Sequence, residues 1–454
     1  MSTRVPVIAI FDIGKTNKKL LLFDECYQIV YEESKTFDET KDEDGFACED
    51  IFALNAWIRN SFDQLLNDER FEIKAINFSA YGASFVYLDK QLRIAAPLYN
   101  YLKPCSPQIQ KSFYNKYGGE KQFSKSTASP VLGNLNSGMQ LFGLKYEKPE
   151  LFEKIKYALH LPQYLSFVFC SSLHSEMTSI GCHTNLWDFE KNKYHQWVTE
   201  EGVAEKLPPI ISSDCIACYA AKIIPVGAGL HDSSAALIPY FSFCKEPFLL
   251  LSTGTWCISL NPFNHSTLTE DELEQDCLCY LSYSGMQVKA SRLFAGHEHE
   301  EQTKRIAEHF NRPDNFFRNI QFDIELLNNP MKVSKNAGSR SGISSFQERN
   351  LNDFKNHEEA YYQLIFDLAE QQVRSTNLVL KNSKVKKIFV DGGFSQNNIY
   401  MQLLAEAFPE IEIYAATVAQ ASALGAALVV HRHWNGRAIS SEIIHLKYYP
   451  KLLH

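Results

Sequence analysis

The stretch that most constrains this chain is Val7 to Asp24, VIAIFDIGKTNKKLLLFD. An apolar run from Val7 to Phe11 reaches Asp12, passes Gly14 and re-emerges as a second run from Leu20 to Phe23. Two apolar runs joined by a short polar turn predict a strand, a tight turn and a returning strand. Gly14 would let the backbone bend through positive φ and bring N–H groups near a ligand. Asp12 stands where the first strand gives way to the turn, with Lys15, Thr16, Lys18 and Lys19 beside it. A carboxylate suited to Mg²⁺, a glycine turn, and hydroxyl and ammonium donors together make a phosphate loop one reading. An ordinary hairpin with an Asp-x-Gly turn is the other, and this stretch alone does not separate them.

Phe248 to Leu260, FLLLSTGTWCISL, repeats the design: an apolar strand, a small polar turn at Ser252, Thr253, Gly254 and Thr255, and a returning strand. Two such hairpins predict a duplicated nucleotide-binding unit. The 454 residues leave room for about three domains or two large ones. No Gly/Ser-rich or Pro-rich linker separates halves, so two closely touching domains are expected, 1–243 and 244–454, with the boundary near Pro239 to Pro247.

Between the hairpins, Ile29 to Phe37 predicts a third strand. Ile51, Leu54, Ile58, Phe62, Leu65 and Leu66 recur at helical spacing. Ile73 to Phe78 predicts a strand that runs into Ser79-Ala80-Tyr81-Gly82-Ala83-Ser84. That small-residue turn suits either a substrate pocket or a hairpin leading to Phe85–Asp89. Leu151 to Phe169 reads as a helix broken near Pro162, and Ser175 to Thr184 is polar and small. In Ile223 to Leu237, a strand meets Gly227 and Gly229, then His231-Asp232, then a small-residue helix start. Asp232 thus falls in a first helical turn, a position that Asp also favours for purely structural reasons. Farther on come a long helix from His357 to Lys381, a strand from Lys387 to Val390 and the turn Asp391-Gly392-Gly393-Phe394-Ser395-Gln396-Asn397. Ala419 to Val430 predicts a small-residue helix that packs tightly against its neighbours. The polar stretch Asn328 to Asn350 is expected to be a loop or an insertion.

The hydrophobic fraction of 45% and charged fraction of 22% are those of a globular protein with a large core. A formal charge of -8 without a long basic run argues against nucleic-acid and anionic-membrane partners. The apolar run Val5–Phe11 contains Pro6 and has no signal-peptide pattern, so a cytoplasmic location is expected. Eleven cysteines without a framework fit a reducing compartment. Cys215-x-x-Cys218 and Cys277-x-Cys279 could supply four thiolates, but idle or buried thiols are the expectation. His297-Glu298-His299-Glu300 lacks the His-x-x-x-His spacing of a helical metal site and reads as a solvated helix start.

Taken in order, FDIGKTNKK, GLHDSSAA, LSTGTW, DGGFSQN and ASALGAA resemble the FGGY family of carbohydrate kinases, across nearly the whole chain. The resemblance implies an α/β fold of two ribonuclease-H-like, actin-like ATPase domains. Each would be a mixed five-stranded sheet with helices on both faces, and ATP would lie in the cleft between domains. It implies an N-terminal sugar-binding and catalytic domain and a C-terminal nucleotide-binding domain. Residue by residue, Asp12 would hold Mg²⁺; Gly14, Lys15 and Thr16 would form the first phosphate turn, and Thr253, Gly254 and Thr255 the second. Gly392, Gly393 and Asn397 would line the adenosine side. Asp232 would be the base that takes the proton from the attacking sugar hydroxyl. His231 would bond a neighbouring hydroxyl, and Ser79, Tyr81, Gly82 and Ala83 would form the sugar loop.

The chain departs from the family at Lys15, at Asn17, and at Asp391, which precedes two glycines where a third is usual. The sugar loop lacks the Gln-His pair common in xylulose and glycerol kinases. That absence, with Gly-x-His-Asp and Gly-Thr-Trp, resembles the rhamnulose and fuculose kinase branch, so a 6-deoxyketose is the expected substrate. Xylulose or another ketose or polyol is the alternative, and a homodimer is left open. A non-catalytic sugar sensor should lack an acid–base residue, whereas Asp12 and Asp232 are both present. An actin-like or heat-shock ATPase should carry a partner-binding extension, and the chain ends soon after its last expected helix.

Overall fold

The computed structural model describes residues 4–324, 346–418 and 420–452. Most of the Asn- and Ser-rich stretch 328–350 lies outside the described residues.

The first sheet contains β1 (Val5–Ile13), β2 (Lys18–Asp24), β3 (Ile29–Lys35), β4 (Phe71–Ala80), β5 (Ile216–Ala220), β6 (Ile224–Gly227) and β7 (Leu230–His231). Its order is β5-β6-β4-β1-β2-β3, with β7 also paired to β4. The second contains β8 (Phe248–Thr253), β9 (Cys257–Asn261), β10 (Cys277–Leu281), β11 (Gln287–Leu293), β12 (Lys387–Gly392), β13 (Glu412–Thr417) and β14 (His445–Tyr449). Its order is β10-β11-β9-β8-β12-β13-β14.

The two sheets share a design. An antiparallel meander (β1-β2-β3, and β8-β9-β11) is joined through its first strand to a parallel partner, β4 or β12. A further parallel strand, β6 or β13, follows. The expected five strands are therefore present in each half, but each sheet has seven. The additions are β5 and β7 in the first and β10 and β14 in the second.

The helices that bear on the site are α1 (Ile51–Leu66), α2 (Leu161–Cys170), α3 (Asp232–Ala235), α4 (Ala295–His309), α5 (His357–Leu380), α6 (Asn398–Ala407) and α7 (Ala421–Val429). Strand β1 is apolar on both faces because both are covered. Val7, Ala9 and Phe11 pack with Trp57, Ile58 and Phe62 of α1, while Ile8 and Ile10 pack with Ala423, Ala426 and Ala427 of α7. Helix α7 thus lies between β13 and β14 of the second sheet in sequence yet covers the first. Its small residues permit this: a Cβ on Gly425 would lie 1.9 Å from the Ala235 carbonyl oxygen.

Three expectations need correction. Phe85–Leu88 pairs antiparallel with Tyr157–His160, so Ser79–Ser84 is not a hairpin turn. The expected helix Leu151–Phe169 is instead a helix (Pro149–Lys154), the strand Tyr157–His160, and α2. Pro162 lies in the first turn of α2, where its missing N–H leaves no intrahelical bond unmade. Cys218 is not an idle thiol: it forms a disulfide with Cys170, linking β5 to the end of α2. Cys277 and Cys279 are buried on β10 in the other sheet, apart from that pair.

Candidate active site

The parallel register builds the first half of the site. Asp12 faces Ser79 across β1 and β4, while Leu230 and His231 face Ser79 and Ala80 from the other side of β4. Asp12 and His231 therefore stand two strands apart, roughly 9–10 Å at the usual strand spacing. Both are at the carboxyl ends of parallel strands, where open α/β sheets bind their ligands. Gly14 closes the adjoining turn by donating its N–H to the Asn17 carbonyl at 3.0 Å. Its φ is not among the positive ones, contrary to expectation. Room is what demands glycine there, since a Cβ would sit 2.9 Å from that carbonyl.

Asp12 is half-buried, and Ser422 Oγ of α7 donates to its Oδ2 at 2.9 Å. Burial pushes its carboxyl up to about 6, opposed by hydrogen bonds from Ser422 and Ser79 and reinforced by the Asp232 charge. Asp232 begins α3, and its side chain is 36% exposed. Its Oδ1 accepts from the Ser233 N–H at 2.6 Å and lies 3.2 Å from His231 Nε2. Among the described residues, Oδ2 receives no hydrogen bond. One oxygen is held in place and the other is left open.

The ring of His231 is buried, and among the described residues its Nδ1 has no partner. Burial lowers its pKa, with the Asp232 charge opposing, so the imidazole is neutral at neutral pH. A neutral ring with Nε2 against a carboxylate carries its proton on Nε2. The His231 N–H donates to Thr178 Oγ1 at 3.0 Å, and that hydroxyl donates to Glu176 at 2.6 Å. Glu176 is fully buried and also accepts from Ser213 Oγ and the N–H groups of Thr178 and Ser179.

Ser79 is fully buried at the end of β4. Tyr81 donates its hydroxyl to Glu49, which is also paired with the buried Lys18. Gly82 abuts His231: a Cβ there would lie 2.9 Å from the imidazole Cδ2 and Nε2. Ala83 takes φ 63° and accepts at its carbonyl from Gln140 at 2.7 Å. The Lys15 ammonium lies 5.8 Å from the Tyr81 ring centre, 6.0 Å from that of Tyr101 and 3.7 Å from Glu39. Tyr101 has its phenol pKa raised by burial and then by the charges of Asp232 and Glu49.

The second half is a cleft of ≈ 960 Å³ in the C-terminal portion. Thr253, Gly254, Thr255, Gly392, Gly393 and Asn397 all line it, whereas Lys15 and Thr16 line a separate cleft with Glu39 and Glu49. Its floor needs glycine. Gly392 has φ 80°, and a Cβ there would lie 2.0 Å from the Thr253 carbonyl oxygen; one on Gly296 would lie 1.9 Å from that of Gly254. Thr253 donates its hydroxyl to the Asp391 carbonyl and accepts from the Phe394 N–H at 3.0 Å. Asn397 caps α6 by accepting from the Ile399 and Tyr400 N–H groups, and donates to the Tyr361 hydroxyl at 2.9 Å. Its amide therefore shapes the wall.

His299 is not solvated as expected. It faces the cleft, lies 3.1 Å from the Tyr361 hydroxyl and meets Phe317, Tyr361 and Phe394 edge-on; burial pushes its pKa down to about 4. The sequence also gave no role to Tyr101, Thr178, Glu176 or Gln140. The small polar run Ser175–Thr184 was the available signal for two of them.

Duplicated ribonuclease-H-like sheets with a nucleotide-sized cleft define the actin-like ATPase and sugar-kinase fold. The chain belongs to the FGGY family of carbohydrate kinases: the family's N-terminal domain matches residues 7–238 and its C-terminal domain residues 245–438. A rhamnulokinase from Klebsiella pneumoniae (strain 342) is 26% identical over 235 residues, 48% of this chain and 46% of that protein. The chain thus spans about half the length of the curated relatives it matches. A carbohydrate kinase from Novosphingobium aromaticivorans superposes with TM-score 0.81 at 20% identity, over 99% of this chain and 95% of its own. A xylulose kinase from Lactobacillus acidophilus superposes with TM-score 0.80 at 16% identity, over 99% and 94%. Among the described residues, no helix is long and apolar enough to cross a membrane.

Proposed function

We propose that the protein is an ATP- and Mg²⁺-dependent carbohydrate kinase that phosphorylates a ketose hydroxyl. The ketose is a 6-deoxyketose such as L-rhamnulose or L-fuculose. The observation that carries this is Asp12, paired with Ser79 on one side of β4, together with Asp232, which directly follows the strand β7 paired with Ser79 and Ala80 on the other side. One carboxylate suits a cation and the other suits a proton. The 6-deoxyketose assignment rests on Gly229-Leu230-His231-Asp232 and Gly254-Thr255-Trp256 and on the similarity to rhamnulokinase.

The residues present fit both implied groups. Asp12 and the hydroxyls beside it are hard oxygen donors, and two neighbouring carboxylates favour a cation between or beside them. Among the described residues, no group of three His, Cys, Asp or Glu side chains could hold a metal. Mg²⁺ is commonly held by one or two carboxylates plus phosphate oxygens and water, so one carboxylate such as Asp12 would suffice. Gly254 and Gly393 line the cleft with no atom closer than 3.7 Å to where a Cβ would stand, so a phosphate chain can approach their backbone. When bound, Mg·ATP supplies the phosphoryl group and the charge that offsets it.

The chain's own residues do the rest. Asp12 would hold the metal, with Gly14 in the adjoining turn, and Thr253 to Thr255 with Gly392 and Gly393 would hold the nucleotide. Asp232 takes the sugar proton at Oδ2 while its Oδ1 stays fixed by Ser233 and His231. Tyr101 and the loop Ser79 to Ala83 bound the sugar. Residues 1–243 would then serve as the sugar and catalytic domain and 244–454 as the nucleotide domain, working in the cytoplasm where Mg·ATP is at hand.

Screening ketoses and polyols for ADP release with Mg·ATP tests the proposal. L-Rhamnulose or L-fuculose should give the highest kcat/KM. Preference for D-xylulose would overturn the 6-deoxyketose assignment, and no turnover with any sugar would overturn the kinase.

A further inference from the structure

We propose that Tyr280, from the second sheet, is a positioning residue: it holds the His231 imidazole against Asp232, so the base is set by contact between the two halves of the molecule. This rests on Asp232 being the base. Tyr280 lies on β10, next to the end of that added edge strand, and its buried ring stacks on His231 with centres 5.6 Å apart and planes 21° apart. Gly82 presses on the same imidazole, and His183 closes the slot, its ring centre 6.3 Å from His231 and 6.1 Å from Tyr280. The imidazole therefore has little room to turn.

Its orientation matters because, among the described residues, Nδ1 makes no hydrogen bond, while Nε2 faces Asp232 Oδ1. Hydrogen bonding alone fixes the ring at one edge, and stacking must supply the rest. The strand that carries Tyr280 is in turn fastened to the first half. Ser234 Oγ, two residues past Asp232, donates to the Leu281 carbonyl at 3.0 Å, and the Leu281 N–H donates to the Gly181 carbonyl at 3.2 Å. Gly181 allows that approach, since a Cβ there would lie 2.3 Å from the Leu281 side chain. Sheet, ring, imidazole and carboxylate form one continuous packed path.

The test compares Tyr280→Phe, which keeps the ring, with Tyr280→Met, which fills the space without a flat face. Steady-state kinetics on the best ketose, melting curves and the imidazole ¹⁵N shifts of His231 are read for each. Tyr280→Phe should keep wild-type kcat. Tyr280→Met should lose roughly 10- to 100-fold in kcat, the scale of a small misplacement of a catalytic group, with both KM values within about twofold. A folded Tyr280→Met enzyme with wild-type kcat, or a Phe variant as impaired as Met, overturns the proposal. If Met does not fold, Phe and wild type decide: both should show a neutral, Nε2-protonated His231, and an Nδ1-protonated ring overturns it. Asp232→Asn is run in parallel. If it too turns over at the wild-type rate, the base assignment has failed, and with it the ground for this proposal.

Discussion

Asp391 shows how a single departure from a family pattern is absorbed. It stands one residue before the glycine floor of the nucleotide cleft, buried, with the Tyr240 hydroxyl donating to Oδ2 at 3.2 Å. Burial pushes its carboxyl up to about 6 against hydrogen bonds from Ser252, Tyr240 and the Thr253 backbone. A carboxylate raised in the folded state leaves stability intact below its unfolded value near 3.8 and costs stability as pH rises through about 6. The full cost above pH 6 is roughly 3 kcal/mol. Asp391→Asn should therefore be more stable than wild type at pH 8 by an amount that shrinks as pH falls toward 4, measured by urea unfolding. A difference that does not vary with pH would contradict the account of Asp391. The opposite lesson comes from Thr178 and Glu176. His231 and Asp232 stood out because Gly-x-His-Asp is a contiguous stretch that resembles a family motif, although position alone left Asp232 equally an ordinary helix-start residue. Thr178 lies 53 residues away in sequence, and only the fold brings its hydroxyl to the His231 N–H.

Among the elements, both hairpins and the long helices were legible, because each has an apolar period long enough to read. Tyr157–His160 was not: four residues between two helices do not separate a strand from a helix, and its partner Phe85–Leu88 is remote in sequence. The strands added at the sheet edges escaped notice for the same reason, β7 being only two residues long. Helix α7 was expected to pack tightly, and its glycine shows how tightly. Gly425→Ala places a Cβ against the Ala235 carbonyl, so α7 must shift and the Ser422–Asp12 hydrogen bond must weaken. Destabilisation of roughly 1–3 kcal/mol is expected from such overpacking, and unfolding curves would measure it. Gly392→Ala acts elsewhere, adding a side chain at φ 80° against the Thr253 carbonyl. By calorimetry it should weaken binding of a non-hydrolysable ATP analogue and leave sugar binding unchanged; equal loss of both would argue against a cleft devoted to nucleotide.

On the scale of the whole molecule, the duplicated halves meet through the packing of α7 on the first sheet and through specific hydrogen bonds. Ser422 reaches Asp12, Asn77 donates to the Ala426 carbonyl at 2.8 Å, and Ser234 donates to the Leu281 carbonyl. A kinase of this form should close further on its substrates to exclude water from the transferred phosphoryl group. Small-angle scattering should show a smaller radius of gyration with sugar and a non-hydrolysable ATP analogue together, and an unchanged radius would count against closure. On the proposed mechanism, Asp232 takes the proton from the sugar. The most direct measurement of that step is kcat of Asp232→Asn on the best ketose, beside ATP-analogue affinity. The expected result is a fall of roughly 10²–10⁴-fold in kcat with nucleotide affinity unchanged. A near-normal kcat in the folded variant would contradict it.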